Sequence, residues 1–223
     1  MKIDKSWFYV LEGMEKDITI PDGVKICLFD ESLISRKFTI GNNTILHYFS
    51  RFISWGSVEK HFYIAGVKSD VMVRSFQYVQ GTSFTGSFIW ELANSESKLD
   101  MSIMSIAGEQ WEIDIDGVVK INANISKVEW YLKQQNIFLW NSWKIRGIPT
   151  LIVHSNDVKA SHGCNIEKIS DDKLFYLRSR GLDRSLATQV MIEGYLRNAF
   201  WYLEHVDGAF YDATIKDTLK IIV

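Results

Sequence analysis

Up to about residue 155 the chain runs in short stretches where apolar and polar residues alternate, the period that turns one face of a β-strand into a core. Ile20–Phe29 (IPDGVKICLF) opens on a Pro-Asp-Gly turn and continues as an apolar run. His61–Leu92 is rich in β-branched and aromatic residues and is cut by Gly66, Gly81 and Gly86. Ser97–Leu132 alternates, with Met101 and Ile103, then Trp111, Ile113 and Ile115, on one face. Asp116-Gly117 is expected to be a hairpin turn or a corner between successive turns of a solenoid. Many short strands with no helix between them allow a sandwich, a barrel or a β-helix. Without a strict internal repeat, a sandwich or barrel is the default.

The last third changes period. Ser170 is expected to cap a helix that carries Asp171 and Asp172 in its first turn, where acids suit the helix dipole. Arg178 and Arg180 stand near its far end, and Gly181 fits the position just beyond it. Asp183 starts a longer helix with a predicted buried stripe of Leu186, Val190, Met191, Gly194, Tyr195, Ala199 and Leu203. The pattern thus predicts a helical hairpin (166–223) attached to an all-β body (1–165). The tail VDGAFYDATIKDTLKIIV is compatible with a strand or a short helix.

Composition narrows the functional classes. Hydrophobic residues make up 47% and charged residues 23% of the 223, an ordinary globular balance. With 25 basic against 27 acidic residues and no single-sign run, no nucleic-acid footprint is expected. No stretch of apolar residues is long enough to span a membrane. The N-terminal MKIDKSWFYVLEGMEKD lacks the apolar core and cleavage site of a signal peptide. Cys27 and Cys164 are too few for a disulfide framework, so a cytoplasmic location is expected. The 8 Trp, 9 Tyr and 13 Phe point to thick cores or buried interfaces.

The chemically distinctive segment is Asn156–Asp183, NDVKASHGCNIEKISDDKLFYLRSRGLD. On a strand, His162 and Cys164 share a face, and an imidazole and a thiolate both ligate zinc or iron. Two ligands do not make a site. There is no C-x-x-C, Cys27 is distant in sequence, and His47, His61, His154 and His205 are scattered. A cysteine–histidine nucleophile needs an orienting third group, and only proximity in sequence suggests Asp157. No phosphate loop, G-x-G-x-x-G or H-E-x-x-H is present, so the chain is not expected to be an enzyme. Plain structural roles stand beside these: Cys164 as a small buried residue, His162 as a hydrogen-bonded histidine, and Arg178 and Arg180 as charges suited to a helix C-terminus.

The same segment resembles the SufB/SufD family of iron–sulfur cluster assembly proteins. The family pattern D-V-K-x-S-H-G-A-T, followed after an acidic stretch by L-F-Y-L-x-S-R-G, is matched by Asp157–Asn165 (DVKASHGCN) and Leu174–Gly181 (LFYLRSRG). LKQQNIFLW and IPTLIVHSNDV resemble the family's last β-helix rungs, and AxxxMIEGYLRNAF its second C-terminal helix. The likeness runs from about Tyr131 to Glu204.

The resemblance implies a mainly β fold, a right-handed parallel β-helix with a small α-helical C-terminal domain, in place of a sandwich or barrel. It implies a non-catalytic scaffold subunit that pairs through its terminal strands with a SufB-like subunit or a second copy of itself. It also implies that a SufC-type ATPase binds through Ser170–Phe200, with Leu174, Phe175, Arg178 and Arg180 as contacts. Gln135 stands where SufB carries a functional cysteine and Gly163 where it carries a glutamate, so the chain resembles SufD more than SufB. His162 matches a histidine proposed to face the subunit interface, where a transient iron–sulfur cluster would form. Cys164 stands where the family usually has alanine, as a packing swap or an added ligand. Family members are commonly longer, which implies lost N-terminal rungs. On this view the last strand ends at His162-Gly163, and the helices are removable from a folded β-body. The rival is a homodimeric metal or iron–sulfur carrier using His162 and Cys164 from two chains.

Overall fold

A computed structural model describes residues 3, 6–53, 55–81, 83–108, 111–139 and 143–222. The odd strands are β1 (Phe8–Val10), β3 (Lys25–Asp30), β5 (Ile45–Phe52), β7 (Asp70–Val79), β9 (Lys98–Ala107), β11 (Ser126–Phe138) and β13 (Asp157–Lys168). They lie side by side in that order in one sheet. The even strands are β2 (Asp17–Ile20), β4 (Arg36–Ile40), β6 (Gly56–Ile64), β8 (Ser83–Leu92), β10 (Trp111–Ile121) and β12 (Trp143–Val153), and they form a second sheet. The chain therefore crosses from one sheet to the other at each step and coils as a parallel β-helix. This corrects the pattern-based default of a sandwich or barrel and agrees with the family resemblance. The coil also widens: Phe8 lies beside Cys27, 19 residues on, and Glu129 beside Lys159, 30 residues on. A turn of changing length leaves no fixed sequence period to detect.

The space between the sheets is a continuous apolar core. Phe38, Phe62 and Trp90 are register partners on β4, β6 and β8, and their rings stack at 4.7 and 5.6 Å. Stacking of like side chains along the axis is what a parallel, in-register coil makes available. Gly86 and Gly117 lie inside strands β8 and β10, not at breaks or turns. A Cβ on Gly117 would come within 3.2 Å of Leu132 Cδ2, so the glycine makes room for a residue of the opposite sheet. The expected turn at Asp116-Gly117 is thus corrected to a strand interior, where Asp116 faces outward to Arg146.

Three helices follow: α1 (Asp171–Ser179), α2 (Arg184–Val206) and α3 (Gly208–Ile222). Ser170 Oγ accepts from Lys173 N at 3.3 Å, and Asp183 Oδ1 from Leu186 N at 2.8 Å, as the caps predict. Gly181, at φ +96°, donates to Arg178 O and closes α1. The tail forms a third helix.

Helices α2 and α3 build a second core against the outer face of the odd sheet. Phe200 sits among Phe29, Phe49 and Phe76, with ring centroids 6.1–6.2 Å apart. Phe210 packs on Phe29 at 4.9 Å, and Arg51 donates to Thr214 O and Thr218 Oγ1. The helices are therefore a lid on the sheet, and the aromatic residues beneath them would be bared in a body without helices. The buried side of α2 is Ala187, Ile192, Leu196, Ala199, Phe200 and Leu203, whereas the predicted stripe members Leu186 and Val190 are exposed.

Candidate functional site

Strands β12 and β13 are the edges of the two sheets at the wide end of the coil. Strand β13 runs through His162-Gly163 to Lys168, so the predicted end of the strand at that pair is corrected. One strand inward, Leu132, Gln134 and Asn136 are fully buried. Their register partners on the edge, His162, Cys164 and Ile166, are exposed. These three occupy inward-facing positions of a coil with no further turn stacked on them.

The His162 ring stands perpendicular to that of Trp130, with centroids 6.4 Å apart. Cys164 is exposed, in contrast to its expected burial. Its Sγ accepts from Asn136 Nδ2 and donates to Gly147 O, each at 3.8 Å. Partial burial pushes its thiol up from the ordinary cysteine value. Gln134 Oε1 and Asn136 Oδ1 beside it are buried acceptors without a donor. The two predicted ligands therefore share one face, as the i, i+2 spacing requires. Among the described residues, however, no three His, Cys, Asp or Glu side chains converge to hold a metal ion within one chain.

The other cysteine is no substitute. Cys27 and His47 are neighbours on β3 and β5, beneath α2. Burial pushes the Cys27 thiol up to about 12 and the His47 imidazole down to about 4, the latter helped by the Lys25 and Arg74 charges. Both are neutral at pH 7, so the pair offers no activated thiolate.

The second candidate surface is the outer side of α1 and α2. Leu174 is buried in the second core and offers no side chain to a partner. Phe175 is 74% exposed, and Tyr176, Arg178 and Arg180 are exposed with it. The Arg180 guanidinium lies over the Tyr176 ring at 5.3 Å. Between the helices a groove of about 550 Å³ is lined by Tyr176, Leu177, Val190, Met191, Gly194 and Tyr195. Sequence reasoning placed Val190 in the core and did not single out Tyr176. The available signal was that α2 carries apolar residues on more sides than one contact can bury. No described helix is long and apolar enough to cross a membrane.

A family model described as "SUF system FeS cluster assembly, SufBD core domain" matches residues 57–195. Similar proteins include the iron–sulfur cluster assembly protein SufD of Escherichia coli (strain K12), 27% identical over 88 residues, which are 40% of this chain and 21% of that protein. SufD of Bacillus subtilis (strain 168) is 32% identical over 83 residues, 36% of this chain and 18% of that protein. The SufBD family protein ycf24 of Galdieria sulphuraria is 27% identical over 84 residues, 38% of each. The matched stretch thus spans well under half the length of each of these relatives.

Proposed function

The chain belongs to the SufBD family, and on that premise we propose that it is a non-catalytic, SufD-like subunit of an iron–sulfur cluster assembly scaffold. It pairs through the wide end of its β-helix with a SufB-like subunit or a second copy of itself, and it binds a SufC-type ATPase through α1 and α2. The observation that carries this reading is the outward side of α1. A helix with one buried residue, Leu174, displays Phe175, Tyr176, Arg178 and Arg180 beside an apolar groove. Aromatic and arginine side chains around a groove suit a helix-binding partner. Since α2 also lids the odd sheet, force on the docking face is transmitted directly to the coil.

Co-purification with the host's SufC-type ATPase, with mass by light scattering, tests it. The wild-type chain is expected to form a stable complex. F175E combined with R178E is expected to lose it while the circular dichroism stays unchanged, because both side chains are exposed. A double variant that binds as well as wild type would sink the docking reading.

A second reading, a metal or iron–sulfur carrier, is favoured by the shared exposed face of His162 and Cys164. One chain supplies only two ligands there, so two chains are required. Anaerobic reconstitution should then give a visible-range absorption that Cys164→Ser abolishes.

A further inference from the structure

Far from both candidate surfaces, a cavity of about 320 Å³ opens at the narrow end of the odd sheet. Residues 6–8, strands β3 and β5 and the C-terminal end of α2 enclose it. Two hydrogen bonds pin its N-terminal wall to β3. Lys25 N donates to Ser6 Oγ at 2.8 Å, and Cys27 N donates to Trp7 O at 3.0 Å. Trp7 is nevertheless 66% exposed, although its backbone is held. Two further rings line the cavity: His47 and Tyr202 stand nearly perpendicular, with centroids 4.1 Å apart. Trp201 and His205 flank Tyr202 in turn, at 5.5 and 6.3 Å. Rings held in this way bury a flat ligand with little loss of side-chain freedom.

The charges of the lining are few and of both signs. Burial keeps the Cys27 thiol protonated and the His47 imidazole neutral at pH 7. Arg74, whose charge acts on His47, is paired with Asp100 at 2.5 Å. That leaves Lys25 and Asp207 as the charged residues of the lining. Among the described residues, no carboxylate pairs with Lys25 and no cation pairs with Asp207. Asp207 Oδ1 accepts from Phe210 N at 2.9 Å and so caps α3, which leaves Oδ2 for a ligand.

We propose that this cavity binds a free aromatic amino acid. The side-chain ring lies among Trp7, His47 and Tyr202, the carboxylate meets Lys25, and the ammonium meets Asp207. The volume suits one or two rings with their backbone group and little more. An aromatic acid or an aromatic amine would satisfy one of the two charges and desolvate the other without a partner, which a zwitterion avoids.

Titration calorimetry of the full chain with L-tryptophan, indole-3-acetate and tryptamine tests the assignment. L-Tryptophan is expected to bind at one site, about tenfold tighter than either analogue. K25M should weaken L-tryptophan about tenfold and leave tryptamine unchanged, because tryptamine has no carboxylate. D207N should weaken L-tryptophan equally and leave indole-3-acetate unchanged, while asparagine still caps α3. W7L should weaken all three ligands. Lys25, Asp207 and Trp7 are exposed, so circular dichroism should match wild type in every variant. Absence of saturable binding at millimolar L-tryptophan would overturn the site. Indole-3-acetate or tryptamine binding as tightly as L-tryptophan would overturn the zwitterion, as would K25M and D207N that bind it like wild type.

Discussion

The two sheets of the coil share parallel pairing and strand length, yet their strands obey different burial rules. Strand β8 alternates strictly: Phe84, Phe88, Trp90 and Leu92 point inward, and Ser83, Thr85, Ser87 and Glu91 point toward water. Strand β7, of the same ten residues, is buried at all but two positions. The difference comes from outside the sheets. The odd sheet's outer face lies under α2 and α3, so Phe49, Phe76, Met104 and Ile106 are buried there. The even sheet's outer face is solvated and is stitched instead by charged cross-strand pairs such as Lys144–Glu112 at 2.6 Å and Arg146–Asp114 at 2.7 Å. A parallel sheet with one free face is unusual, and the closed coil permits it by making its own interior the buried side. The stability of the molecule should therefore respond very unequally to changes on the two outer faces.

The largest effect is expected at Phe200. Phe200→Ala empties the contact among Phe29, Phe49 and Phe76, and should cost about 3–5 kcal/mol in urea unfolding. A loss near zero would mean that the lid contributes little and that the odd sheet resembles the even one after all.

An intermediate effect is expected from acid. The folded-state imidazole of His47, under the lid, is lowered from 6.5 to about 4. Between those values the unfolded chain takes up a proton that the folded chain refuses, so the contribution of His47 to stability falls as pH drops from 6.5 toward 4 and levels off below. Discounted for partial solvent screening, the loss should be about 1–2 kcal/mol. His47→Gln should flatten that part of the stability–pH curve, leaving a smaller slope from His61, whose imidazole burial also lowers. An unchanged curve would mean that His47 titrates freely in the folded protein.

The smallest effect is expected on the bare sheet. Lys144→Ala breaks an exposed ion pair and should leave the urea-unfolding midpoint indistinguishable from that of the wild type. A loss comparable to that of Phe200→Ala would erase the distinction between the two faces.

The sequence carried several of these features legibly. Alternation marked the even strands because one face of each meets water. The caps Ser170, Asp183 and Gly181 were legible because each acts on residues three or four positions away. Other features had no local signal. Leu186 and Val190 fit a helical stripe as well as Ile192, Leu196, Phe200 and Leu203 do, and periodicity alone does not choose between two apolar sides of one helix. Asp30, Arg36 and Lys60 look like surface charges in sequence. In the fold, Lys60 Nζ lies 2.6 Å and Arg36 Nε 3.3 Å from Asp30 Oδ2, all fully or almost fully buried near the narrow end. The Cys164 position had the opposite fate: inward-facing in register, it is exposed because the coil's last turn has nothing beyond it.

By itself the sequence determined the strand-rich body, the capped helices and the motif string that marks the family, since each is written in neighbouring residues. Only the tertiary structure decided which sheet is covered, which side of α2 is buried and which strands lie at the sheet edges. Those outcomes depend on residues brought together from turns far apart in the chain, as when Phe200 meets Phe29, Phe49 and Phe76, and no local pattern encodes which surface a helix will meet.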